Sequence, residues 1–511
     1  LLLLPLEPDH RQVDQQISPF RVLAFTFSVL SGFVIIMAFY PKDGISVSDS
    51  IHLKFPTLQS FIFNRKKQAP KVDDILKNVD TTMLVEEPVD TFLRHNNASG
   101  SELGAPNDTS ELAVDAAKIR RLEFGTNGAS ILYPIFDKLG SAAANKKIVR
   151  IIHYGDSQIE GDRMTGYIRQ KLQGRFGGNG PGMVPAYNQY HTLSFVQTLS
   201  SNFKRHAVFG EVSKSVKHKK YGSMGSFARF TKIVEDSLIV NNEVAEGWIE
   251  IGFHKQAYSN ARSFNRIRLF YGNCKTHCDL QVFNNGELIH EDTLNPDGEY
   301  HVIDLMFDQT PEKLKYVFKT KDSPDFYGFS LDGNYGIAVD NVAMRGGSGT
   351  FLGRTDYNLM SRMYGDLGVE MFIMQFGGNT MPYLKDEASA RGYASQFQSN
   401  LNTLRKLRPG AVIIVIGPSD MSTKINGEYQ TYPLLATLVA EMKQAAFKAN
   451  AAYWDMYSSM GGENSMIAWV EKDLAGPDYT HFTPGGARYV AEMFYEAFIY
   501  EYQQYTKTKG Q

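Results

Sequence analysis

From residue 148 to 507 short apolar runs alternate with helix-length segments, and the alternation is broken once, from about 196 to 331, by β-forming residues alone. Strands alternating with helices call for a parallel sheet with helices on its faces. Closely spaced strands without intervening helices cannot extend such a sheet and read instead as an antiparallel sandwich. The chain is therefore expected to be α/β, with a domain in two pieces, 111–195 and 332–507, and an all-β module, 196–331, inserted between its first and second strands.

The expected parallel strands are Ile148–Tyr154, Gly336–Val342, Met371–Phe376, Val412–Ile416 and the weaker Ala451–Met456. Helix-period stretches lie at Met164–Phe176, Asn358–Leu367, Ala388–Leu407, Pro433–Ala449 and Pro484–Tyr502. Within the insert, Glu246–Phe253, Arg266–Tyr271, Asp279–Phe283 and Lys315–Phe318 alternate or cluster β-formers. Asn284 to Gly286 and Asn295 to Gly298 are turn signals.

Val22–Tyr40 carries no charge and no proline, and its 19 residues suffice to span a bilayer as a helix. No small-x-small cleavage site follows at once, so an uncleaved signal anchor is expected, with a short cytoplasmic leader at 1–21. A cleaved signal or a buried helix is the alternative. Residues 41–110, with a basic cluster at 65–67 and polar, turn-rich stretches at 96–101 and 104–110, read as a flexible tether. The apolar patch Ile51–Phe63 suits a local helix or the membrane surface. Asn97 and Asn107 sit in glycosylation acceptor triplets, relevant only in a eukaryotic secretory host. No second span follows, which places the large remainder on one side of the membrane, the extracytoplasmic one.

A net charge of −2 leaves no basic footprint for nucleic acid. Two cysteines, Cys274 and Cys278, exclude a disulfide-rich scaffold. Their segment reads as a hairpin tip, where a short disulfide would form in an oxidising compartment. Metal binding by Cys274, His277 and Cys278 crowds three ligands into five residues, a poor tetrahedral set.

Sites in open parallel sheets form at the carboxyl ends of the strands. Ser157 follows the first strand, Gly346 the second and Asn379 the third, and Asp478 and His481 precede the last helix. Each signal alone is weak: Gly155-Asp156-Ser157 at a strand-to-helix turn reads equally as a cap. Their ordered occurrence is more specific. Asp156 is expected to shape the turn, His153 to be packed in its strand, and Glu160 and Asp162 to be first-turn partners of a helix dipole rather than a second acidic site. The glycine-rich stretch 177–182 lacks the Lys-Ser/Thr of a phosphate loop.

These blocks resemble those of the SGNH (GDSL-type) hydrolases. The first matches at Gly155-Asp156-Ser157, the second from Asn341 to Gly346, the third at Gly377-Gly378-Asn379 and the last from Asp478 to His481. Two departures stand out: Thr380 replaces the acid that usually follows the block-three asparagine, and Gly347 competes with Gly346. The resemblance implies a flavodoxin-like three-layer α/β/α domain and a serine esterase, with Ser157 as nucleophile, His481 as base and Asp478 orienting the imidazole. It further implies an oxyanion hole from Ser157, Gly346 and Asn379. Gln158, Gly378, Ser419 and Asp420 are expected to bind substrate, and neither metal nor organic cofactor is required. A β-module at this insertion point is similar to the peptidoglycan O-acetylesterases, which implies an acetylated glycan as substrate. Trp248, Phe253, Tyr258 and Phe264 are the insert aromatics that would stack on sugars or else fill the sandwich. A glycan O-acetyltransferase, a membrane lipase or thioesterase, and a non-catalytic glycan-binding protein are the alternatives.

Overall fold

The computed structural model describes residues 19–39, 45–48, 51–53, 119–233 and 243–510. Two compact units divide near residue 67. In the first, helix α1 (Pro19–Phe39) is exposed over most of Phe20–Phe39, and Phe20–Phe39 is the one segment among the described residues long and apolar enough to cross a membrane. Ile45–Ser48 pairs antiparallel with Ile51–Leu53, so the start of the Ile51–Phe63 patch is a strand and not a helix. Residues 1–18 of the expected leader and almost all of the expected tether, including Asn97 and Asn107, lie outside the described residues, and the last three leader residues belong to helix α1.

The second unit holds a five-stranded parallel sheet of β1 (Ile148–Gly155), β2 (Gly336–Ala343), β3 (Val369–Gln375), β4 (Val412–Ile416) and β5 (Ala452–Trp454). Its spatial order is β2-β1-β3-β4-β5, the flavodoxin-like arrangement. Both faces are mainly apolar, as burial under helices demands. Ile151, Val339, Ile373 and Ile414 face helices α2 (Tyr133–Ser141), α3 (Thr165–Phe176) and α7 (Pro484–Lys509). Tyr154, Phe372, Met374 and Val415 face α4 (Tyr357–Leu367), α5 (Glu387–Leu407) and α6 (Leu435–Lys448). Register aligns the strand ends: Gly155 of β1 lies opposite Ala343 of β2 and Gln375 of β3. The loops leaving these three strands therefore emerge side by side.

Between β1 and β2 two antiparallel sheets pack face to face. One has five strands, from Glu287–Leu294 at one edge to Phe195–Leu199 at the other; the second is built around Arg266–Gly272 and Asp325–Asp332. Ile249, Leu280, Tyr316 and Phe318 from one sheet meet Leu269, Phe326 and Phe329 from the other. Gly182–Pro185 pairs with Asp325–Asp332, so residues ahead of 196 already belong to these sheets; glycine and proline hide that strand in the sequence. The Asn284 to Gly286 signal is a hairpin turn, with Asn285 and Gly286 both in left-handed backbone.

The segment from Gly272 to Cys278 is not a hairpin tip. It crosses from one sheet to the other, because Arg266–Gly272 and Cys278–Asn284 lie in different sheets. Both cysteines are free and buried. Burial pushes the Cys274 thiol up to about 11 and that of Cys278 higher still.

A buried charge cluster joins sandwich to parallel sheet. Arg150 of β1 donates to Asp332 at 2.6 Å and to Asp340 of β2, and Arg268 reaches Asp332 at 3.3 Å. Asp340 also accepts the Met183 N–H at 2.7 Å. Charges this deep persist only when paired.

Candidate active site

Ser157 opens a short 3-10 turn (Ser157–Asp162) directly after β1. The turn is tight because Gly155 lacks a Cβ, which would sit 2.9 Å from the Ile159 side chain. Asp156 caps it, its Oδ1 accepting the Gln158 N–H at 2.9 Å. Burial pushes the Asp156 carboxyl up to about 6. The turn-shaping role expected of Asp156 is thus the one its contacts show.

The loop before α7 brings the other two groups. Asp478 Oδ1 accepts the N–H groups of Thr480 and His481, both at 3.0 Å, and Oδ2 lies 2.7 Å from His481 Nδ1. His481 Nε2 lies 2.8 Å from Ser157 Oγ. A carboxylate can only accept, so it places the imidazole proton on Nδ1 and leaves Nε2 to accept from the hydroxyl. Partial burial works to raise the Asp478 carboxyl, but its bonds from the His481 N–H and imidazole hold it below the usual carboxylate range. The side chains of His481 and Asp478 are 40% and 53% exposed, so this row lies at the surface end of a cleft.

Ser157, Gly346, Asn379 and His481 line one cavity of about 1010 Å³. Gly346 sits in left-handed backbone (φ +73°), and nothing lies within 4 Å of where its Cβ would be. Gly347 is unsuited to the alternative role: its N–H donates to the Met344 carbonyl at 2.7 Å. Asn379 Nδ2 donates to the Gly347 carbonyl at 3.1 Å, which orients the amide and leaves its second N–H uncommitted by that bond. An amide N–H that opens on the same cavity as the Ser157 hydroxyl is a donor of the kind that stabilises developing negative charge.

Gly378 and Ser419 also line the cavity, whereas Asp420 does not. Asp420 is buried and accepts from Thr431 Oγ1 at 2.7 Å, the Met466 N–H at 2.8 Å and Ser465 Oγ at 3.3 Å. The chain beyond β4 turns Ser419 to the cleft and Asp420 to the structure behind it, so Asp420 is not positioned to bind substrate. Gln158 reaches the cavity wall, but its amide is taken up by protein. Nε2 donates to the Thr480 carbonyl at 2.6 Å, and Oε1 accepts the Phe482 N–H at 3.4 Å.

Glu160 and Asp162 form no free acidic pair. Glu160 is bonded to Arg345, and Asp162 to Arg169 in the buried interior. His153 is packed, between Gln375 and Thr165 at 3.0 Å each, and burial pushes it down to about 3. No group of three His, Cys, Asp or Glu side chains suited to a metal occurs among the described residues.

The insert supplies the far wall. His191, Leu193 and Gln256 join Tyr258 there, the only one of the four insert aromatics to reach the cavity. Phe264 fills the sandwich core, Phe253 packs against it, and Trp248 lies under the Lys315 ammonium, 4.7 Å from its ring centroid. Sequence periodicity gave no sign of His191, Leu193 or Gln256, because loop residues carry none.

No family model and no curated protein matches the chain. Solved structures do. A peptidoglycan O-acetylesterase, 20% identical, superposes with a TM-score of 0.57 over 73% of this chain and 96% of its own. A family two carbohydrate esterase from Clostridium thermocellum is also matched, at 10% identity over 57% of this chain and 97% of its own, but with a TM-score of 0.22. Strand order, the alignment of three strand ends around Ser157 and the first of these superpositions agree that the chain has the SGNH hydrolase fold.

Proposed function

We propose that this chain is a serine esterase that removes acetyl groups from a cell-wall or exported polysaccharide. The observation that carries the reading is the hydrogen-bonded row from Ser157 Oγ through His481 to Asp478, opening on the cavity that holds Gly346 and Asn379. His481 Nε2 takes the hydroxyl proton as Oγ attacks the ester carbonyl. The N–H groups of Ser157 and Gly346 and the Asn379 amide hold the oxyanion. His481 then protonates the departing sugar hydroxyl, and water repeats the sequence on the acetyl-enzyme to release acetate and regenerate Ser157. The scheme draws on no metal or organic cofactor.

An acetylated glycan is favoured by the shared fold with a peptidoglycan O-acetylesterase and by the wide, mixed polar and apolar cleft. Helix α1 would hold the enzyme at a membrane with its catalytic part outside the cytoplasm. The test sets the soluble catalytic region against p-nitrophenyl esters of increasing chain length and against acetylated glycans. Acetyl release with Ser157 labelled by a fluorophosphonate, and both lost in Ser157→Ala, is the expected outcome. Activity unchanged in Ser157→Ala would remove the mechanism. A preference for long acyl chains would remove the deacetylase reading, and acetyl passed to a glycan in place of water would make the enzyme a transferase.

A further inference from the structure

The residues holding the His481 loop against the Ser157 turn are not those of the hydrogen-bonded row. Asp478 belongs to the same loop as His481, so its bonds set the imidazole within that loop and do nothing to place the loop. On the side facing Ser157, placement comes from side chains of the turn and the residue after it. Arg163 Nη2 donates to the Ser157 carbonyl at 2.6 Å, Nε to the Glu160 carbonyl at 2.9 Å, and Nη1 to the Phe482 carbonyl at 2.8 Å. Gln158 donates to the Thr480 carbonyl and accepts the Phe482 N–H. The two side chains thus grip the main chain on both sides of His481 while rooted in the segment that carries the nucleophile. A planar guanidinium, with donors in a fixed fork, can satisfy three carbonyls at set angles; a lysine ammonium cannot reproduce that geometry.

We propose that Arg163 and Gln158 form a latch that positions His481 over Ser157. This rests on the esterase reading above. Neither residue is a proton carrier. Their effect is on the Ser157 Oγ to His481 Nε2 separation, and a misplacement of about 1 Å in such a pair costs on the order of 10²-fold in rate.

The experiment compares wild type with Arg163→Met, Arg163→Ala and Gln158→Leu, on p-nitrophenyl acetate and by NMR. The expected result is a kcat lowered about 10²-fold in Arg163→Met, less in Gln158→Leu, with KM nearly unchanged and partial rescue of Arg163→Ala by methylguanidinium. The substrate-free readout is the ¹⁵N shift of His481 Nε2, referenced to Ser157→Ala, in which the hydroxyl partner is absent. Movement of this shift in Arg163→Met toward the Ser157→Ala value supports the latch, even if the wild type proves inactive on every ester and the esterase reading fails. A wild-type shift in both variants overturns it, as does a raised KM with kcat intact, which would make Gln158 a substrate-binding residue. Should Arg163→Met not fold, Gln158→Leu carries the same two readouts.

Discussion

The Ser157 turn grows out of β1, whose residues are nearly all buried and bonded on both sides to β2 and β3, whereas the Asp478–His481 loop belongs to no sheet and leaves the Asp478 side chain about half exposed. The turn is held by the sheet; the loop is held by a few main-chain bonds and by individual side chains. Substitutions of the groups that shape the turn should therefore register in stability, and substitutions of the groups that hold the loop, Gln158 included, in turnover at nearly constant stability.

Asp478→Asn is the most severe way to break that contrast. The amide keeps an acceptor for the Thr480 and His481 N–H groups, so the loop conformation survives. Its NH₂ faces His481 Nδ1, however, and drives the imidazole proton to Nε2, where it can no longer accept from Ser157. A kcat loss of about 10⁴-fold is expected if the proposed mechanism holds, by comparison with the same substitution in a Ser-His-Asp triad. The melting temperature should stay close to that of the wild type, since the residue is half exposed. A large fall in stability would show that the loop is as integral to the fold as the turn.

The turn is tested by Asp156→Asn. The Asp156 carboxyl is raised to about 6 by burial, above its ordinary value, so the folded state favours its neutral form. The wild type therefore carries no penalty below about pH 4, acquires it between about 4 and 6, and keeps it at higher pH. The amide introduced by the substitution retains an acceptor for the Gln158 N–H but does not titrate. The variant should gain on the wild type across pH 4–6, by at most about 3 kcal/mol, from the size of the shift. Urea unfolding of both proteins at several pH values reads the difference, and other carboxylates cancel. A difference independent of pH would mean that Asp156 is not desolvated in the turn.

The same contrast governs what could be read from the sequence. β4 was legible because a fully buried parallel strand is an unbroken apolar run, and Val412–Ile416 is bounded in the structure as its composition indicates; β1 was legible because β-branched residues dominate it on either side of Arg150. Gly182–Pro185 was not, because a strand of glycine, proline and two apolar residues looks like a turn. Ser157, Gly346, Asn379, Asp478 and His481 stand out as local blocks at fixed spacing, which a motif can capture. Arg163 could not, since its partners are main-chain carbonyls that every residue possesses. Asp420 misled because adjacency to Ser419 says nothing about which way a side chain turns after a strand ends.

The finest distinction concerns the outer side of the loop. Tyr479, between Asp478 and Thr480, adopts left-handed backbone (φ +54°), a conformation disfavoured for a bulky residue unless its surroundings hold it. Two contacts with a small hairpin, Ser422–Ile425 paired with Glu428–Thr431, do so. The Ser422 N–H donates to the Tyr479 carbonyl at 3.0 Å, and the Tyr429 ring stacks on that of Tyr479 with centroids 3.7 Å apart and planes 15° from parallel. An aromatic pair of this kind contributes about 0.5–1.5 kcal/mol beyond its buried area. Tyr429→Ala should thus let the loop relax from its left-handed turn part of the time and lower kcat by roughly 2- to 10-fold, with the Ser422 amide exchanging faster with solvent. Tyr429→Phe keeps the ring and should match the wild type in both measurements. Equal losses in the two variants would assign the effect to the phenol hydroxyl and not to stacking; no loss in either would leave the latch side of the loop as its sufficient support.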